Sequence, residues 1–403
     1  MGSKEKLRLG VIFGGRSGEH DVSLMSARSV LAALDHDKYS ITQIGISHAG
    51  VWYVGQDVLN AFIQGSLEEL SPAALLSDPS RHALYQIHDT ADGEILRLLA
   101  NLDVVFPVLH GTFGEDGTLQ GLLELADLAY VGAGVLGSAL GMDKGVFKDV
   151  MRTHDIPVVE DLVVLRSEIE ADMPGVIERA ARLADFPLFV KPANLGSSVG
   201  ITKCMSRSDL MEGLFDAARY DRRILVERGV KNAREIEVSV LGNEDPQVSI
   251  PGEIIPSREF YSYEAKYIDG SSELLIPAPI SEELTRQVQV LALRAYRAID
   301  CSGMARVDFL LEMPAGGVLS QAGAQSQPVL YLSEVNTIPG FTQISMYPKL
   351  WEASGLPYPA LVDRLIELAL SRKADRDRTE RQYNVRLFSP GGEKPGKEAG
   401  HGR

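Results

Sequence analysis

Residues 7–23 read LRLGVIFGGRSGEHDVS. Leu7 to Phe13 is an apolar run of strand length, and it stops at the pair Gly14-Gly15. From Val22 to Leu34 the apolar residues recur at helical spacing. The pattern then repeats downstream. Ile41 to Ile46 is strand-like. Asp103 to Leu109 is apolar and β-branched, and stops at His110-Gly111. Gly117 to Ala126 reads as a helix and Leu128 to Val131 as a short strand. Strands alternating with helices predict a parallel sheet with helices on its faces, a Rossmann-like α/β domain over residues 1–141. Ligands of such sheets bind beyond the carboxyl ends of the strands, where both glycine-bearing ends fall.

Outward from there the pattern changes twice. Residues 142–230 begin with a helix to about His154. Strand Val158 to Leu165, helix Pro174 to Ala184, and strands Leu188 to Lys191 and Ile201 to Met205 follow. Helix Ser208 to Tyr220 and strand Ile224 to Glu227 complete the region. Residues 231–375 carry longer strands, at Glu235 to Leu241, Val248 to Ile255, Met304 to Leu311 and Val329 to Asn336. Helices at Glu282 to Ile299 and Leu361 to Leu370 accompany them, so this part reads as α+β. The polar, tyrosine-rich loop 258–272 is a candidate lid. Residues 313–327 read as an insertion between two strands, and 384–403 as a disordered tail.

Composition narrows the function. The chain has 403 residues, too many for one ordinary core, and 45% are hydrophobic. Acidic residues outnumber basic ones, 55 to 40, for a formal charge of −15. A nucleic-acid backbone would be repelled by that balance. The two cysteines, Cys204 and Cys301, have no metal-ligand spacing. Without a signal-peptide h-region or a membrane-length apolar run, a cytoplasmic protein is expected.

Several polar groups stand out. Asn194-Leu195-Gly196-Ser197-Ser198-Val199-Gly200 joins two strands, with Lys191 just before it. Small residues there would let backbone N–H groups approach phosphate oxygens. An ordinary hairpin with a solvated lysine has the same composition. Arg306 and Asp308 share one strand face, as do Glu334 and Asn336, because side chains in a strand alternate. Two carboxylates and an amide oxygen are hard ligands suited to Mg2+, although an internal salt bridge would explain either pair alone. Glu19 and Asp21 lie where a helix N-terminus begins and could be simple capping residues. Gly132 to Gly137 fits G-x-G-x-x-G, but its strand is far from the first of the sheet, so a dinucleotide oxidoreductase is a poor rival.

Taken together, GGRSGEHDVS, HGTFGEDGTLQG, MDK, FVKPANLGSSVG, EAKY, ARVDF and EVNTIPGFTQISMYP resemble the D-alanine–D-alanine ligase family of the ATP-grasp fold, in order from Leu9 to Leu370. The resemblance implies ATP and two Mg2+ (or Mn2+) ions as cofactors, D-alanine as substrate and a homodimer. It implies that Lys144, Lys191, Ser198 and Lys266 attend the phosphates. Glu227 and Val230 would lie at the adenine edge, with Glu235 at the ribose. Asp308, Glu334 and Asn336 match metal ligands. Glu19, Ser197 and Tyr267 match the group around the first substrate's ammonium, and His110 a residue near its carboxylate. Arg306 and the N–H of Gly340 match oxyanion donors, and Ser345 and Met346 the seat of the second substrate's carboxylate. Tyr267 favours an amine over D-lactate as second substrate. The same scaffold making D-alanyl-D-lactate or D-alanyl-D-serine is one alternative, and a non-catalytic nucleotide-binding protein another.

Overall fold

The structure, a computed structural model, describes residues 5–196, 199–255, 273–313 and 328–380. Its first sheet has the order β6-β5-β4-β3-β2-β1-β7-β8. The strands are β1 (Leu7–Gly14), β2 (Tyr39–Ile46), β3 (Trp52–Val54), β4 (Ser71–Leu75), β5 (Ala83–Thr90), β6 (Gly93–Asn101), β7 (Val104–Val108) and β8 (Ala129–Tyr130). Strands β2, β1, β7 and β8 are parallel, as the alternating pattern predicts. The remaining strands extend the sheet as an antiparallel meander. β1 is buried from Leu9 to Gly14, which is why it reads as a continuous apolar run.

Helices α1 (His20–Ala33) and α2 (Val58–Gln64) pack on this sheet, and α3 (Thr118–Leu125) buries Leu119 and Leu123 on its other face with Ile12 and Ile44. Helix α4 (Val135–Met142) begins at the Gly132–Gly137 pattern, with Gly134 as its N-cap. The helix expected from near Met142 to His154 forms after Asp143, which separates it from α4. The carboxylate of Asp143 accepts the N–H groups of Gly145 and Val146, at 3.1 and 3.0 Å, and starts α5 (Lys144–Thr153).

The second sheet, order β11-β10-β12-β9, is antiparallel and built from β9 (Asp161–Leu165), β10 (Leu188–Pro192), β11 (Thr202–Cys204) and β12 (Arg223–Arg228). Helices α6 (Arg166–Ala171), α7 (Met173–Ala181) and α8 (Arg207–Tyr220) cover one face. Their buried Ile169, Val176 and Leu214 meet Leu188 and Val190 of β10. Alternation along β10 turns Phe189 and Lys191 to the opposite face.

The third sheet has the order β16-β15-β13-β17-β18, and β14 pairs with β13. Its strands are β13 (Ala233–Gly242), β14 (Gln247–Val248), β15 (Gly252–Ile255), β16 (Glu273–Leu275), β17 (Gly303–Glu312) and β18 (Val329–Asn336). The one strand expected from Val248 to Ile255 is therefore two. Helix α9 (Glu282–Ala298) packs Leu291 and Ala295 against Val307 and Phe309, leaving Arg306, Asp308 and Leu310 on the other face. After α10 (Met346–Ala353), helix α11 (Tyr358–Arg376), the last among the described residues, returns to the first sheet. Its Leu361, Leu365 and Ile366 share a core with Leu9, Val11 and Phe106. Arg372 of α11 stacks on the Tyr130 ring, 4.3 Å from its centroid, and donates to the Tyr130 carbonyl at 3.0 Å. Among the described residues no helix is long and apolar enough to cross a membrane.

Candidate active site

The second and third sheets face each other across a cleft of about 1130 Å3, closed at one end by the first. Glu19, His110, Lys144, Lys191, Glu227, Val230, Glu235, Arg306, Asp308, Glu334, Asn336, Gly340, Ser345 and Met346 all line it. Ser197, Ser198, Lys266 and Tyr267 lie outside the described residues, as do the candidate lid 258–272, the insertion beyond residue 313 and the tail 384–403.

The wall formed by the third sheet is acidic. Register sets Glu237 opposite Asp308, Asp308 opposite Glu334, and Arg306 opposite Asn336. The guanidinium of Arg306 donates to both oxygens of Asp308, at 2.8 and 2.7 Å, and lies 3.0 Å from Glu237. Asn336 Nδ2 donates to Asp308 Oδ2 at 2.9 Å and to Glu334 Oε1 at 3.4 Å. Burial alone would lower the pKa of Arg306, but Asp308 and then Glu237 overcome it and hold the guanidinium firmly charged. Asp308 and Glu334 thus present carboxylate oxygens side by side, with the Asn336 amide against both, a residue set whose chemistry fits divalent cations.

The opposite wall is basic. Lys144 donates to the Leu195 carbonyl at 2.8 Å and stands 3.9 Å from Glu334, spanning the cleft. Glu227, on β12, is gripped by two ammonium groups, Lys148 on Oε1 and Lys191 on Oε2. Burial alone would push its carboxyl up, but the two lysines hold it down at about 2. Burial moves Lys148 the other way, down to about 8. Lys191 and Glu227 share the cleft face because register sets Glu227 opposite Phe189, two residues before Lys191 on the adjacent strand.

At the end formed by the first sheet, Glu19 precedes α1. A Cβ on Gly111 would stand 2.5 Å from its Oε2, and one on Gly196 2.6 Å. Only glycines allow the turn after β7 and the loop after β10 to close on this carboxylate. His110 is 3% exposed and uses both ring nitrogens. Nδ1 donates to the Ile338 carbonyl at 3.0 Å, which leaves Nε2 to accept from Ser26 Oγ at 2.9 Å. Ser26 Oγ in turn accepts the N–H of Phe341 at 3.3 Å. His110 and Ser26 therefore fix the backbone on both sides of Gly340. Burial, opposed by Glu19, keeps the His110 ring below its ordinary pKa, so it is neutral at pH 7. Ser345, the N-cap of α10, exchanges a hydrogen bond with Thr342 Oγ1 at 2.7 Å.

Three residues of this site escape sequence reasoning. Glu237 is 4% exposed and completes the carboxylate pair around Arg306. Its signal was the alternation Glu235-Ile236-Glu237, which puts both acids on one face. Lys148 lies one turn beyond Lys144 on α5, so the i, i+4 spacing carried it. Glu115 accepts the N–H of Gly111 at 2.8 Å, and burial, then Glu19, raises its carboxyl well above the usual range.

A parallel α/β core followed by two sheets that clasp a cleft is the ATP-grasp fold. The family models described as D-ala D-ala ligase N-terminus and D-ala D-ala ligase C-terminus match residues 8–133 and 150–367. The chain belongs to the D-alanine–D-alanine ligase family. It is 47% identical to the D-alanine–D-alanine ligase of Heliobacterium modesticaldum, over 95% of this chain and 100% of that one. The Thermoanaerobacter sp. (strain X514) D-alanine–D-alanine ligase is 50% identical over 93% and 99% of the two chains. Solved structures align as well. The D-alanine-D-alanine ligase of Coxiella burnetii has a TM-score of 0.75 and 38% identity, over 93% of this chain and 97% of that one. A D-Ala:D-Ser ligase from Enterococcus faecalis has a TM-score of 0.76 and 34% identity, over 91% and 100%.

Proposed function

We propose that this chain joins two molecules of D-alanine into D-alanyl-D-alanine, converting one ATP to ADP and phosphate. The observation that carries the reading is the pairing of a lysine wall with a carboxylate wall across one cleft, with Arg306 held between two acids. Residues 142–230 and 231–375 supply the walls, and residues 1–141 the substrate end.

A carboxylate oxygen of the first D-alanine attacks the γ-phosphorus. An oxygen–phosphorus bond forms and the bond to the ADP oxygen breaks, leaving an acyl phosphate. The free amine of the second D-alanine then attacks the activated carbonyl. The carbon–nitrogen bond forms, the nitrogen loses a proton, and phosphate departs. Phosphoryl transfer needs positioning and charge neutralisation above all. Lys144 and Lys191 hold phosphate oxygens, with Ser198 and Lys266 beside them. Glu227 and Val230 seat the adenine and Glu235 the ribose. Glu19, Ser197 and Tyr267 hold the first substrate's ammonium, and His110 stands by its carboxylate. Arg306 and the N–H of Gly340 stabilise the tetrahedral oxyanion. Ser345 and Met346 receive the second substrate's carboxylate. Asp308, Glu334 and Asn336 would hold two Mg2+ or Mn2+ ions, which when bound neutralise charge on the phosphates.

The product serves peptidoglycan synthesis in the cytoplasm, and the enzyme acts as a homodimer. The curated relatives at 45–50% identity carry the D-alanine name, whereas the D-Ala:D-Ser ligase stands at 34%. Tyr267 also favours an amine as second substrate. The test is phosphate release from ATP and Mg2+ with D-alanine, L-alanine, or neither, with the product identified by mass. Release only with D-alanine, one dipeptide per phosphate, is expected. Release with no amino-acid dependence, or none at all, would overturn the reading.

A further inference from the structure

Lys148 is 1% exposed and does not line the cleft. It sits behind Glu227, donating to the Val159 carbonyl at 2.9 Å and to Glu227 Oε1. The other oxygen, Oε2, is taken by Lys191, which lines the cleft. A lysine this deep is costly unless its charge is matched, and Glu227 matches it. Glu227 has two cationic partners of different kinds. Lys191 lies on the cleft wall, where phosphates compete for it. Lys148 has no route to the cleft and keeps its place.

A carboxylate is an acceptor on every lone pair, so it takes an N–H and repels a carbonyl oxygen. Once protonated it also donates, and that distinction is lost. With Lys191 drawn to phosphate and no Lys148, Glu227 would be a buried carboxylate without a counter-charge, and such groups neutralise. We propose that Lys148 is a positioning residue for nucleotide selection: it keeps Glu227 ionised and fixed, so that the cleft accepts a 6-amino purine and rejects a 6-oxo purine. The inference rests on the reading of this cleft as an ATP site. The lowered Lys148 pKa, caused first by burial, agrees with a lysine that serves an internal partner rather than solvent.

The test compares wild type with Lys148→Met, using phosphate release with D-alanine and either ATP or inosine triphosphate. In Lys148→Met the KM for ATP is expected to rise roughly 10–100-fold, the scale typical for losing an orienting partner. The KM for D-alanine should stay within about threefold, and the preference for ATP over inosine triphosphate should shrink at least about tenfold. A purely structural lysine would lower the melting temperature and leave the nucleotide preference unchanged, and that result overturns the proposal. Should Lys148→Met fail to fold, Lys148→Gln is neutral yet can still donate to Val159 and Glu227. It should lose the same preference, and an unaltered preference overturns the proposal equally. Wild type is assayed alongside: if it releases no phosphate with D-alanine, the ligase reading fails, whereas an active wild type with an indifferent Lys148 variant sinks this inference alone.

Discussion

The two walls of the cleft are built as opposites. On the second sheet one carboxylate, Glu227, lies between two lysines. On the third, one guanidinium, Arg306, lies between two carboxylates, Asp308 and Glu237. Each wall keeps its excess charge in place by surrounding a single ion of the other sign. The basic wall can then meet phosphates and the acidic wall cations, without either sheet having to bury an uncompensated row of like charges. The difference lies in what can neutralise. Lys148 is already held near 8 and can shed its proton, whereas Arg306 remains charged at any ordinary pH.

The comparison can be broken at its strongest point first. Glu334→Gln should cut D-alanine-dependent phosphate release by more than the ~10–100-fold typical of losing an outer partner, with the melting temperature nearly unchanged. Near-normal turnover would remove Glu334 from the acidic wall's function. Arg306→Met comes next. It removes the guanidinium that Asp308 and Glu237 share, and urea unfolding should show a loss of roughly 3–5 kcal/mol. The mirror change, Glu227→Gln, strands Lys148 and Lys191. Its loss should be smaller, about 2 kcal/mol, because Lys148 can become neutral. Equal losses in the two variants would show that the walls do not differ in this way.

The smallest effect is a pH slope. Glu227 titrates at about 2 in the fold against 4.5 ordinarily, so the folded state holds it ionised. The stability it contributes is complete above 4.5 and is lost as pH falls from there toward 2. Melting temperatures followed over that range should decline less steeply in Glu227→Gln than in wild type. Parallel curves would mean that Glu227 adds nothing to acid stability.

How much of this was legible from residues alone follows from local chemistry. β1 and β7 announce themselves because both faces are buried and each ends in a glycine-bearing turn. Arg306, Asp308, Glu334 and Asn336 were readable because strand alternation fixes which side chains share a face. The meander β3 to β6 was not. β6 is exposed on both faces, with Ile95, Leu96, Leu98 and Leu99 all open, so no polar–apolar alternation marks it. Lys148 was hidden for the opposite reason: a lysine on a helix normally reads as solvated, and only tertiary packing places it at 1% exposure. The destination of α11 is a long-range fact that no window of sequence contains.

That destination has a consequence for how the molecule comes into being. Leu9, Val11 and Phe106 in the first sheet complete their core with Leu361, Leu365 and Ile366 of α11. Synthesis proceeds from the N-terminal side, so the sheet that begins at Leu7 waits for a helix that begins at Tyr358. Helices α1 and α2 can cover part of its apolar face at once, but the part that α11 covers stays open through the intervening translation, so the first α/β unit is not finished as it leaves the ribosome.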